Sequence, residues 1–144
     1  MRLSKTVEQA CCILSILAEH HGQPVTNVEL NERMNVSQSY LTKITRKLVI
    51  AGIITSAQGV KGGFILARPM TSITLGDVVK ATDGSAPFFR PTNLIKQAFP
   101  AREYITRKGV KLLHDAFTQA EQKWFDELNL TTMEQLISKA KTTR

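Results

Sequence analysis

Apolar residues recur three and four positions apart through most of this chain and give way to a strand pattern in one short stretch. The first helical run starts after Ser4, a candidate N-cap, and continues to about His21. Val7, Cys11, Leu14 and Ala18 form its stripe, Ala10 and Leu17 lie beside it, and Ile13 and Ile16 widen it beyond what one neighbour covers. Gly22-Gln23-Pro24 ends it. Thr26 and Glu29 then form a capping box stapled by Val25 and Leu30, which opens a short helix to Met34 with Asn35 as a left-handed stop. Ser37 is the next N-cap, stapled by Val36 and Leu41. From it runs a helix whose core stripe is Leu41, Ile44, Thr45 and Leu48.

Gly52 sits at the C′ position of that helix. A β-branched run from Ile53 to Thr55, the turn QGVKGG and the run Phe64-Ile65-Leu66 then predict a hairpin. Thr74 and Asp77, stapled by Ile73 and Val78, open a helix that packs through Leu75, Val78, Val79 and Thr82 and stops at Gly84. Residues 85–104 hold three prolines and four aromatics. They read as a connector with one helical turn around Asn93–Ala98. A long helix follows from Thr106, or from Gly109 if that glycine starts it, to Leu128. Val110, Leu113, Phe117, Ala120 and Trp124 alternate four and three apart along it, the narrow seam of helices that pair lengthwise. Thr131 and Glu134 suggest a further capping box, for a last helix through Met133, Leu136 and Ile137 with a frayed tail at 139–144.

Two helices joined by a tight turn, followed by a glycine-tipped hairpin, have the order of a winged helix-turn-helix. The expected fold is therefore mainly α with a small β-hairpin wing. It divides into a winged helix-turn-helix domain at 1–84, a connector at 85–104, and a dimerisation helix with a C-terminal helix at 105–144.

The polar arc of the helix after Ser37 carries Ser39, Thr42, Lys43 and Arg46 and no acid. Hydroxyls and cations on such a surface suit base edges and phosphates of the major groove. Gln38 and Tyr40 would contact backbone or base edges at the helix start beside Ser37, Arg2 and Lys5 would hold phosphates, and Gln58 to Lys61 would lie along the minor groove. The formal charge of +7 points the same way, and the excess is concentrated early, with 8 cations against 4 acids through Arg68.

The residues that carry a family resemblance are MRLS, VSQSYLTKITRKLVIAGIITSAQGVKGGFILAR and ITLGDVVKATDG. Together they resemble the IscR-like (BadM/Rrf-type) bacterial transcriptional regulators, closely over residues 1–84. The wing ending GG-aromatic-x-L followed by ITLGDV is the most specific part. The resemblance implies a homodimer on palindromic double-stranded DNA and, in some members, an iron–sulfur cluster. It places Ser39, Thr42 and Lys43 where relatives read bases. Gln58 stands where relatives often carry an arginine that enters the minor groove, so that readout would weaken or pass to Lys61.

Cluster-binding relatives place three cysteines between the helix at 75–83 and the long helix, and this chain has none there. Phe99, Ile105 and Lys111 stand near those positions, and His114 falls near a relative's histidine ligand. One imidazole without thiolates cannot hold a cluster, so no metal and no cofactor are expected. His20 and His21 read as helix-end residues, and His114 as a surface or interface residue.

Cys11 and Cys12 are the only thiols. Adjacent cysteines do not form an ordinary unstrained bridge, which suits a reducing cytoplasm. Cys11 reads as core, and Cys12 is the candidate redox residue. Phe88, Phe89, Phe99 and Tyr104 are candidate walls of an effector pocket, or else they stitch the connector to a core. Arg2 and Lys5 before ACCILSILA mimic a secretion signal, but Glu8 interrupts it and EHHGQP offers no cleavage pattern. The run is too short to span a membrane. No nucleophile elbow, phosphate loop or zinc-protease motif is present, so an enzyme is not expected. The function read here is a DNA-binding regulator, a repressor in type, responding to a small molecule or a protein. The alternatives are a winged-helix module that binds an acidic protein, and a thiol-gated regulator that works through Cys12.

Overall fold

A computed structural model describes residues 2–142 as two compact units. The first comprises Arg2–Gly84 and 128–142, and the second comprises Ser85–Glu127.

In the first unit, α1 (Lys5–Glu19), α2 (Asn27–Met34) and α3 (Gln38–Ile50) precede the strands β1 (Ile54–Ala57) and β2 (Gly63–Leu66), then α4 (Leu75–Asp83). The widened stripe of α1 is buried throughout, with Ala10, Ile13, Leu14, Ile16 and Leu17 all in the core. Ser4 does not cap α1. Its backbone N–H donates to Asp83 Oδ2 at 2.8 Å and its hydroxyl donates to Asp83 Oδ1, so the start of α1 is tied to the end of α4. The box on α2 forms in both directions, with Glu29 N–H donating to Thr26 Oγ1 at 3.2 Å and Thr26 N–H to Glu29 Oε2 at 2.7 Å. The Thr26 N–H first, and then its hydroxyl, which donates to Glu29 Oε2 at 3.0 Å, hold the Glu29 carboxyl below its ordinary range. Asn35 closes the helix with φ 51°.

Leu41, Ile44, Thr45 and Leu48 of α3 are buried, the stripe that periodicity predicts. Ser37 occupies the N-cap position without a capping hydrogen bond, and its hydroxyl lies 3.4 Å from that of Ser39. At the other end Ile53 N–H donates to Leu48 O at 3.0 Å and Gly52 N–H to Val49 O at 2.9 Å, a Schellman closure with Gly52 at φ 68°. That closure takes Ile53, so the strand starts one residue later than expected. β1 and β2 pair antiparallel from Ile54↔Leu66 to Ala57↔Gly63. Val25 and Phe64 exchange backbone bonds at 2.9 and 3.0 Å, which joins the wing to the residue before the N-cap of α2. The sequence carries no local sign of this bridge.

α4 starts with its expected box, with Asp77 N–H donating to Thr74 Oγ1 at 3.1 Å, and stops at Gly84 with φ 85°. α7 (Met133–Thr142) packs on this unit through Met133, which is 2% exposed. Its grouping with the long helix is therefore corrected. Met133 N–H donates to Ile73 O at 2.8 Å and Leu75 N–H to Thr131 O at 2.9 Å, so backbone pairing returns the chain end to the start of α4. The box that opens α7 is Thr132 with Gln135, one residue on from Thr131 and Glu134. Positions 139–142 are helical rather than frayed, and the rest of the expected frayed tail lies outside the described residues.

The second unit holds α5 (Leu94–Ala98) and most of α6 (Glu103–Asn129). α6 starts before Gly109, which is interior and has nothing within 4 Å of where a Cβ would stand. Phe88 packs edge-on to Trp124 at 5.2 Å, and Phe89 stacks on Phe117 at 4.8 Å. Phe88 N–H also donates to Glu121 Oε2 at 3.1 Å. Among the described residues no helix is long and apolar enough to cross a membrane.

Candidate nucleic-acid interface

The interface is built by the amphipathic division of α3. Its core stripe is at most 1% exposed, and Ser39, Thr42, Lys43 and Arg46 on the other arc are all exposed. Thr42 Oγ1 donates to Gln38 O at 2.9 Å, which spends its proton and leaves lone pairs to accept from a base amino group. Side-chain ion pairs join Arg33 with Glu19, Arg68 with Asp77, Arg107 with Glu103 and Lys111 with Asp115. Lys43 and Arg46 stand outside them.

Ser37 and Gln38 are exposed at the α3 start, where free backbone N–H groups favour a phosphate. Tyr40 differs from its neighbours. It is half-buried, and its hydroxyl lies 2.9 Å from Thr6 Oγ1, so it joins α3 to α1. Arg2 and Lys5 are exposed at the start of α1, and Gln58 and Lys61 on the wing, whose tip residue Val60 is fully exposed. Lys47 escapes sequence reasoning. Its Nζ donates to Thr82 O, holding the end of α4 against α3, and no local pattern announces so distant a partner.

The seam on α6 is only partly open. Leu113, Phe117 and Ala120 are exposed, while Val110 and Trp124 are half-buried. Phe117 and Trp124 already receive the connector rings Phe89 and Phe88. The four aromatics read as candidate pocket walls, or else as stitches of the connector, stand in different settings. Phe88 and Phe89 stitch the connector to α6, Tyr104 is 79% exposed, and Phe99 borders a cleft.

Cys12 is exposed and Cys11 half-buried. Burial first, then the neighbouring Cys12 and Glu8, pushes the Cys11 thiol up to about 11. His114 is a helix-surface residue, its Nδ1 3.5 Å from Asp115 Oδ1.

The family profile described as "Iron-dependent Transcriptional regulator" (Rrf2) matches residues 3–139. The putative HTH-type transcriptional regulator YwgB of Bacillus subtilis is 29% identical over 140 residues, covering 96% of this chain and 86% of that protein. Among solved structures, CymR, the global cysteine regulator of B. subtilis, superposes with a TM-score of 0.64 at 25% identity, covering 96% of this chain and 97% of that one. A putative transcriptional regulator from Listeria innocua gives a TM-score of 0.68 at 23% identity, covering 96% and 87% respectively, a likeness of fold. The residues present do not fit the iron in the family description. The two thiols adjoin on α1, the connector and α6 contribute none, and among the described residues no three His, Cys, Asp or Glu side chains are placed to hold a metal ion. The relatives are transcriptional regulators rather than enzymes, and with a winged helix-turn-helix matched along nearly its whole length, this chain belongs to the Rrf2 family of DNA-binding transcriptional regulators.

Proposed function

We propose that this regulator is a homodimeric repressor that binds a palindromic operator in the cytoplasm, without an iron–sulfur cluster. α3 enters the major groove with Ser39, Thr42, Lys43 and Arg46 nearest the bases. Arg2, Lys5, Ser37 and Gln38 hold phosphates, while Gln58 and Lys61 follow the minor groove. The observation that carries this reading is the exposed, acid-free arc of α3 above a fully buried stripe. Self-association is supported by Ile105, Leu112, Leu113 and Phe117 of α6, apolar residues between 40% and 62% exposed. Two-fold symmetry then requires half-sites related by inversion and separated by whole helical turns.

The test is fluorescence anisotropy with duplex DNA across a salt series, alongside sedimentation of the protein alone. Dimers that bind duplex with a steep salt dependence are expected. Monomers that bind an acidic protein but not DNA would establish the interaction-module alternative instead.

The exposure of Cys12 favours one secondary reading, in which oxidation of this thiol gates DNA binding. Peroxide should then weaken operator binding by the wild type and leave Cys12→Ser unaffected.

A further inference from the structure

Between the connector and the first half of α6 lies a two-lobed cleft, contained wholly in the second unit. One lobe has a volume of about 470 Å³ and the other about 390 Å³, both in the range of small-molecule sites. Asn93, Lys96, Glu103 and Thr106 border both lobes, so they form one continuous groove.

Its charge is uneven. Arg107 Nη2 lies 2.9 Å from Glu103 Oε1, which uses that acid and leaves further guanidinium N–H groups free to donate. Lys96 takes part in none of the ion pairs among the described residues, so the groove keeps one uncompensated positive charge. Thr106, 6% exposed, donates its proton to Glu103 O at 2.9 Å and retains its lone pairs. The Asn93 side chain makes no capping bond to α5, so its amide is free to meet a ligand. Beyond this polar centre the walls are mixed, with Pro91 and Thr92 beside the first lobe and Gln97 and Pro100 beside the second, and each lobe keeps one larger apolar side chain. Val110 closes the first lobe and Phe99 the second, and the Phe99 ring lacks the aromatic partner that Phe88 and Phe89 each have.

We propose that this cleft binds a small carboxylate with an apolar body, the effector of the regulator proposed above, on which reading that role rests. The carboxylate lies between Lys96 and Arg107, where a monoanion neutralises the single excess charge, and the apolar body covers Phe99 or Val110. The same carboxylate could come from a simple organic acid, which neutralises the excess charge, or from an apolar amino acid, whose ammonium would meet Glu103 Oε2, the oxygen outside the Arg107 pair.

Isothermal titration calorimetry of the full chain, without DNA, tests the site with 3-phenylpropionate, L-phenylalanine and the uncharged 3-phenylpropanamide. At least one carboxylate should bind, and the amide should bind about tenfold more weakly or worse, as expected for losing a charge-assisted contact. Lys96→Ala and Arg107→Ala should each weaken the carboxylate by a similar factor. Lys108→Ala, on α6 but bordering neither lobe, should leave affinity unchanged. Circular dichroism identifies any variant that fails to fold, and Lys96→Gln then serves in place of Lys96→Ala. A stronger response to L-phenylalanine than to 3-phenylpropionate assigns the amino-acid source, and the reverse assigns the simple acid. Equal binding of the amide, insensitivity to both cation variants, or no heat from either carboxylate overturns the site. Since no DNA is present, failure of the regulator reading would not produce any of these results.

Discussion

Asn129, in the last turn of α6, lies so close to Gly76 of α4 that a Cβ on the glycine would stand 2.0 Å from Asn129 Oδ1. That oxygen accepts from Thr74 Oγ1 at 2.9 Å, and the following Thr131–Met133 segment pairs with the backbone around Ile73 and Leu75. The end of the long helix is thus latched to the helix that follows the wing.

Gly76→Ala forces Asn129 to swing away and lose its bond to Thr74. The expected loss of stability is about 1 kcal/mol, measured by urea denaturation. In an Asn129→Ala background the same substitution should be neutral or slightly stabilising, because alanine favours the helix. Additive losses in the double variant would mean that the two residues do not meet.

Gly63 is constrained by backbone rather than by a side chain. Its φ is 150°, and a Cβ would lie 2.7 Å from Val25 O in the bridge that joins the wing to α2. Gly63→Ala should cost about 1–3 kcal/mol, with the thermal midpoint falling accordingly. Gly62→Ala, whose Cβ would meet nothing closer than 3.8 Å, is the comparison and should cost far less.

The two thiols should separate on alkylation. Exposed Cys12 takes iodoacetamide quickly near neutral pH, while Cys11 labels slowly until the pH approaches about 11, as peptide mapping by mass spectrometry would show. Because the folded state holds the Cys11 thiol above its ordinary 9.0, the protonated form favours folding. That contribution is complete below 9.0 and is lost as pH rises through 9.0 toward about 11, so Cys11→Ala should show a shallower decline over this window. Equal labelling of both thiols would contradict it.

Arg2 and Lys5 should act through phosphates. Replacing either with alanine should weaken binding to all duplexes alike and reduce the salt slope by about one unit. A change in which sequence is preferred would show that they read bases instead.

What was legible in the sequence was local. The α3 stripe follows from periodicity, and the boxes on α2 and α4 each lie within one turn. At α7 two overlapping threonine-led patterns compete locally, and the pairing of Thr74 with Thr132 accompanies the later one. Gly109 reads as a helix start by propensity, yet packing at Thr106, itself buried, lies upstream of it and outweighs that preference. The acid-free arc was visible for the same reason as the stripe. The fastening of Tyr40 to Thr6 and of Lys47 to Thr82 was not, since those partners lie 34 and 35 residues away. Nor could composition tell which rings of α6 receive the connector, Trp124 for Phe88 and Phe117 for Phe89.

The most direct test of the α3 surface is selection from a random duplex pool with the purified wild type and with Lys43→Ala. An enriched inverted repeat is expected with the wild type. With Lys43→Ala, one position in each half-site should relax, at about 1–3 kcal/mol per half-site. A pool that yields no common sequence, or the same sequence at undiminished affinity for Lys43→Ala, would contradict the placement of α3 in the major groove.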